Sequence, residues 1–263
     1  MSLSRGSFSD LATRITTGAA VAAVGLAAVW AGYPWFTGLV ACIVGVLVWE
    51  LSRMLGASRR ASLALGILGG ALLLAAKLVP VGLGLPLLTL TGLAGFGALT
   101  RNRTLFLVIT TLIMLASFGL ITHRDTFGLT WMFWLILVVA VTDIGGYFAG
   151  RAVGGPKFWP RVSPKKTWSG TVAGWIAAGL VGWAFMAVTG MGPELIAISV
   201  ALSMASQMGD IAESAVKRRA GVKDSSRLLP GHGGLWDRFD GMLGASLLLL
   251  VVESVSSFPS GSV

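Results

Sequence analysis

The residues best equipped for chemistry lie between positions 214 and 240, in S-A-V-K-R-R-A-G-V-K-D-S-S-R-L-L-P-G-H-G-G-L-W-D-R-F-D. Lys217, Arg218, Arg219, Lys223, Arg227 and Arg238 share this stretch with Asp224, Asp237 and Asp240. His232 stands in it between Gly231, Gly233 and Gly234. Cations beside a Gly-rich turn suit phosphate oxygens, because glycine lets backbone N–H groups approach a ligand closely. Acids amid cations suit a hard divalent metal. With no apolar face predicted for His232 to pack on, the histidine is also a candidate. The segment predicts a phosphate and metal site at a membrane surface.

Three acids lie within or beside apolar runs, where a carboxylate costs a few kcal/mol and is a functional candidate by default. Asp143 sits in T-D-I-G-G-Y-F-A-G-R, and Asp210 and Glu213 sit in S-Q-M-G-D-I-A-E-S-A-V-K-R. On a helix Asp210, Glu213 and Lys217 share one face. Asp210 and Lys217 would be about 10 Å apart along it. An internal ion pair is the alternative reading, strongest for Glu213. Glu50, three residues before Arg53, reads as half of an interfacial ion pair, and Glu253 as a snorkelling or hydrogen-bonded packing residue. A second basic cluster is R-V-S-P-K-K-T-W at 161–168. Lys165 and Lys166 are point cations for phosphate, Ser163 and Thr167 add hydroxyls, Pro164 is expected to set a turn and Trp168 to anchor the next span at the interface.

The elements that must position these groups are membrane helices. Hydrophobic residues make up 55% of the chain and charged residues 12%, against about 25% charged in soluble domains. The net charge of +9 is spread over short loops, which argues for orientation in a membrane and against nucleic acid. Cys42 is the sole cysteine, so a disulfide is excluded; a buried, inert thiol is expected. Nine runs reach the roughly 20 residues a bilayer crossing needs: 13–32, 33–53, 61–80, 82–100, 104–122, 128–150, 170–189, 194–214 and 241–257, with 33–53 and 82–100 the weakest. The first reads as an uncleaved span. With the N-terminus in the cytoplasm and the C-terminus outside, every Lys and Arg except Lys77 and Arg124 falls inside, as the positive-inside rule requires. The loops 151–169 and 215–240 are then cytoplasmic. The expected fold is an all-α polytopic bundle forming one membrane-embedded domain, with N-terminal helices over 1–125, catalytic helices and loops over 126–257 and a disordered tail over 258–263.

The stretch 214–240 resembles the hallmark of the phosphatidate cytidylyltransferases, the CDP-diacylglycerol synthases. Ser214, Lys217-Arg218, Lys223-Asp224, Pro230, His232-Gly233-Gly234, Asp237-Arg238 and Asp240 stand at that family's spacing, as do Asp143 with Gly146-Tyr147, S-P-K-K-T-W at 163–168 and Gly209-Asp210. Ser169 departs from the Glu that many members have after the Trp. The resemblance covers roughly the C-terminal half. It implies transfer of the cytidylyl group of CTP to phosphatidate, giving CDP-diacylglycerol and pyrophosphate for phospholipid synthesis in a bacterial-type inner membrane. It also implies Mg²⁺ on Asp210 and Asp237, with room for a second, monovalent cation. Catalytic roles would fall on Asp210, Asp237, Lys217, Lys223 and His232. Substrate contacts would fall on Asp143, Ser163, Lys165, Lys166, Ser214, Arg218, Gly233, Gly234, Arg238 and Asp240. CTP, phosphatidate and the bilayer are the expected partners, and a homodimer is compatible with the sequence. Two rival readings are a related lipid-linked transferase, such as a CDP-archaeol synthase or a CTP-using polyprenol kinase, and a non-enzymatic ion or phosphate carrier.

Overall fold

A computed structural model describes residues 5–256, 258 and 259, with side chains described from residue 15 onward apart from that of residue 81. Among the described residues the chain forms α1 (Arg5–Ala31), α2 (Trp35–Met54), α3 (Arg59–Leu78), α4 (Val81–Ala98), α5 (Arg103–Ala152), β1 (Lys157–Trp159), β2 (Ser163–Thr167), α6 (Trp168–Thr189), α7 (Glu194–Ala220) and α8 (Trp236–Val255). Each predicted span falls on a helix. The runs 104–122 and 128–150 both lie in α5, which is broken at Gly128 (φ 81°, ψ −162°), a backbone conformation open to glycine and strained for other residues. Helices α2, α3, α5, α6 and α7 are long and apolar enough to cross a membrane, while α1 and α4 carry shorter apolar stretches, Ile15–Ala31 and Gly82–Ala98. Large apolar side chains face outward at helical spacing, as with Ile176, Leu180 and Trp183 on α6. A water-exposed helix would put polar groups there, so this pattern suits lipid.

The chain divides into two compact units, Met1–Met114 with Ala220–Arg238, and Leu115–Arg219 with Phe239–Val263. The segment 220–238 groups with the N-terminal helices. In the first unit α2 packs on α1 and α3, and α3 on α4. Gly45 and Gly66 let α2 and α3 touch backbone to backbone: a Cβ on Gly45 would stand 3.1 Å from the Gly66 carbonyl oxygen. Cys42 lies exposed on α2, correcting the expected buried thiol. The buried face of that helix is occupied instead by Val40, Ala41, Val44, Leu47, Val48 and Leu51.

In the second unit Trp134, Leu135, Val138, Leu195, Leu202, Ala245 and Leu249 form the core. Phe258, expected in a loose tail, packs edge-on against Trp131, ring centroids 5.4 Å apart. Polar pairs fix the register of α7 against its neighbours. Trp134 Nε1 donates to Ser199 Oγ at 3.0 Å, Thr142 Oγ1 to Ser203 Oγ at 2.8 Å, and Trp175 Nε1 to Gln207 Oε1 at 3.0 Å. The loop 151–169 holds a small antiparallel hairpin pairing Lys157 with Thr167 and Trp159 with Ser163, a minor departure from an all-α fold. Pro164 lies inside β2 rather than in a turn, and the reversal falls at 160–162.

Candidate active site

The first unit carries a loop folded around two carboxylates. Helix α2 delivers Glu50, which has no exposed surface. Its Oε1 accepts from Ser226 Oγ at 2.6 Å and Leu235 N at 2.8 Å; its Oε2 accepts from Ser225 Oγ at 3.1 Å and Trp236 N at 2.8 Å. Asp237, in the first turn of α8, accepts through Oδ2 from Ser225 N at 3.0 Å and Gly234 N at 2.8 Å, and shares the single Ser225 hydroxyl proton with Glu50, its Oδ2 lying 2.9 Å from Ser225 Oγ. The backbone N–H groups of residues 234, 235 and 236 are therefore all aimed at protein carboxylates. The expectation that this Gly-rich turn points its N–H groups at phosphate is corrected for these three.

The same geometry explains two glycines. Gly233 has φ +85°, and a Cβ on it would lie 2.9 Å from Asp237 Oδ2. A Cβ on Gly234 would collide with Ser225 Oγ and stand 2.5 Å from Glu50 Oε1. His232 is not without a surface to pack on: its Nε2 lies 3.4 Å from where a Cβ on Gly18 of α1 would be. Arg238 Nη2 donates to the His232 carbonyl at 3.0 Å, and Lys223 and Asp224 are exposed. Glu50 is the residue that sequence reasoning misplaced. Arg53 turns to the Ala57 carbonyl at 3.0 Å and is not its partner. The signal that could have found it is a carboxylate in a strongly apolar helix, read without assuming the nearest cation.

The second unit gathers three acids and two cations. Asp210, Glu213 and Asp240 each offer a carboxylate oxygen, all within 4.8 Å of one another. Two glycines bring α8 this close to α7. A Cβ on Gly209 would collide with the Asp240 carbonyl oxygen, and one on Gly244 with that of Ala205, so neither position accepts a side chain without parting the helices. Lys166 Nζ, delivered by β2, lies 2.6 Å from Asp210 Oδ2 and 3.4 Å from the Gln207 carbonyl oxygen. Ser214 Oγ is 3.4 Å from Asp210 Oδ1, and the Asp240 carboxylate accepts from Gly241 N at 2.8 Å. Asp143 and Asp210 add negative potential at Asp240, offset in part by Lys217.

Several expected roles shift in this unit. Lys217 is buried and pairs with Glu213 at 2.6 Å on its own helix. Thr167 caps α6, its Oγ1 accepting from Gly170 N at 3.2 Å. Lys165, Asp143 and Arg218 are exposed and Ser163 is half-buried. Trp168 stacks edge-on against Phe158 at 4.7 Å. Glu253 meets His123 Nδ1 at 2.5 Å, in line with a hydrogen-bonded packing role.

The family model described as the cytidylyltransferase family matches residues 12–255. The chain belongs to the cytidylyltransferase family. The phosphatidate cytidylyltransferase of Brucella suis biovar 1 is 48% identical over 143 residues, 53% of this chain and 53% of the relative. That of Bacillus subtilis strain 168 is 42% identical over 126 residues, 47% of each. That of Haemophilus influenzae is 40% identical over 135 residues, 47% of this chain and 46% of the relative. The chain spans about half the length of the curated relatives it matches.

Proposed function

We propose that this cytidylyltransferase-family chain transfers the cytidylyl group of CTP to phosphatidate. The products would be CDP-diacylglycerol and pyrophosphate, for phospholipid synthesis at the cytoplasmic side of a bacterial inner membrane. The observation that carries the reading is the 48% identity with a protein named for this activity. Apolar helices suit a substrate whose acyl chains stay in the bilayer while its headgroup reaches the polar residues. Nine crossings, with the C-terminus outside, are supported by the inside bias of Lys and Arg.

The donor set fits Mg²⁺, since the oxygens of Asp210, Glu213 and Asp240 stand close together and this ion takes oxygen ligands. Asp210 and Asp237 are the proposed ligands, Asp237 on the sequence resemblance alone. When bound, the ion would neutralise phosphate oxygens as charge develops on the leaving pyrophosphate. Lys166, beside Asp210 at 2.6 Å, would add a point cation for a phosphate oxygen. Lys165, Lys223 and Arg218, all exposed, would neutralise the triphosphate or the lipid phosphate. A phosphate monoester is largely ionised at pH 7, its second pKa being about 6, so its oxygen can attack the α-phosphorus with no strong general base. His232 would then orient substrate. Catalysis would rest on positioning and charge neutralisation.

The test uses purified protein in detergent with phosphatidate, Mg²⁺ and CTP labelled at the α- or the γ-phosphate. Label from the α-phosphate should enter the lipid, with release of pyrophosphate. Lipid labelled only from the γ-phosphate would indicate a kinase, and no labelled lipid from either would overturn the reading.

A further inference from the structure

Glu50 has more partners than its place in an apolar helix requires, and all of them come from one distant segment. Its four donors lie 175 to 186 residues downstream. Two are the backbone N–H groups of Leu235 and Trp236 at the start of α8, which no earlier turn of that helix can satisfy. The other two are the hydroxyls of Ser225 and Ser226 at the far end of the loop. One carboxylate thus ties both ends of residues 225–236 to α2.

Each of its oxygens faces one backbone N–H and one hydroxyl. A hydroxyl can rotate to accept, but a backbone N–H can only donate. An amide at this position would set its own NH₂ against one of the two N–H groups, whichever way it turned. An acid accepts at both oxygens. The Ser225 hydroxyl joins this carboxylate to the next, lying 3.1 Å from Glu50 Oε2 and 2.9 Å from Asp237 Oδ2. Asp237, Arg238 and His232 all hang on this framework, Arg238 through its bond to the His232 carbonyl.

We propose that Glu50 is a positioning residue for the reaction, the anchor that holds the 225–236 loop and the first turn of α8 in their working geometry. The assignment rests on the proposed cytidylyl transfer for its consequence, though not for its structure. It puts a site determinant in the N-terminal helices, outside every motif in the sequence.

The test compares Glu50→Asp, Glu50→Gln and Glu50→Ala with the parent chain. A space-filling role would rank Gln above Asp, since Gln keeps the shape. An anchoring role ranks Asp above Gln, since only Asp keeps two acceptors. We expect kcat/KM for CTP to fall at least about thirtyfold in Glu50→Gln and Glu50→Ala, with partial recovery in Glu50→Asp. Amide hydrogen exchange across residues 225–237 should rise at least about tenfold in Glu50→Gln, while the amides of α6 keep their protection. Turnover in Glu50→Gln equal to or above that in Glu50→Asp, or unchanged exchange across the loop, would overturn the assignment. If the parent chain itself transfers no label from CTP, the functional reading fails, and the exchange measurement alone decides the anchor.

Discussion

At the scale of single residues, the glycines at 233 and 234 show how a motif can be visible while its reason is hidden. Their presence beside His232 suggests close approach to a ligand, and close approach is what they provide, but to the carboxylates of Asp237 and Glu50. Gly234→Ala should lower the thermal midpoint of the purified protein by the equivalent of about 1–3 kcal/mol, the usual cost of overpacking a tight site. Gly38→Ala, where nothing lies within 4 Å of the added Cβ, should leave it nearly unchanged. An equal effect at both positions would mean that the close contacts around Gly234 do not set its cost. Lys165 and Lys166 belong to the same scale. Replacing both with Gln should reduce kcat/KM at least about tenfold, roughly 1.4 kcal/mol of transition-state binding. The loop keeps Arg151, Lys157 and Arg161, so orientation should survive, and unchanged kinetics would reduce the two lysines to topological charges. Asp210→Asn should abolish Mg²⁺-dependent turnover while the protein still inserts and purifies, because an amide keeps the shape and loses the charge. Near-normal activity would remove Asp210 from the metal site.

At the scale of elements, helix existence was legible because runs of about 20 apolar residues have few other solutions in a bilayer. The approach of one helix to another was not legible, because it depends on which small residues meet. Chain spacing puts Asp210 and Asp240 in different helices and gives no distance. The crossing of α7 and α8 at Gly209 and Gly244 brings them into one cluster. The hairpin β1–β2 was missed because three- and five-residue strands leave almost no periodic trace. Glu50 was misread for a related reason: a cation three residues away is visible in sequence, whereas donors on a distant loop are not. Gly244→Val should separate α7 from α8. Both the detergent-solubilised midpoint and the turnover of that variant should fall, whereas Gly25→Ala, with open space around it, should preserve both. A folded Gly244→Val protein with full activity would mean that the crossing does not position Asp240.

At the scale of the whole molecule, the proposed orientation puts 220–235 in the cytoplasm and the end of α8 outside. Single cysteines at Arg227 and Ser256, both exposed, report this in a Cys42→Ala background. The background is required because Cys42 is itself exposed. A membrane-impermeant thiol reagent added to spheroplasts should label position 256 and spare 227. The reverse pattern would overturn the orientation and the side from which CTP is taken. The tie between α2 and the start of α8 also has a consequence in time. During synthesis α2 emerges with its carboxylate long before residues 225–236 exist, and an acid without donors in an apolar helix is costly. Until the final helix arrives that carboxylate lacks these donors, and closing a contact over so many residues is slow. The loop would therefore set last, so a ribosome-bound chain stalled before α8 would be inserted, largely helical and inert.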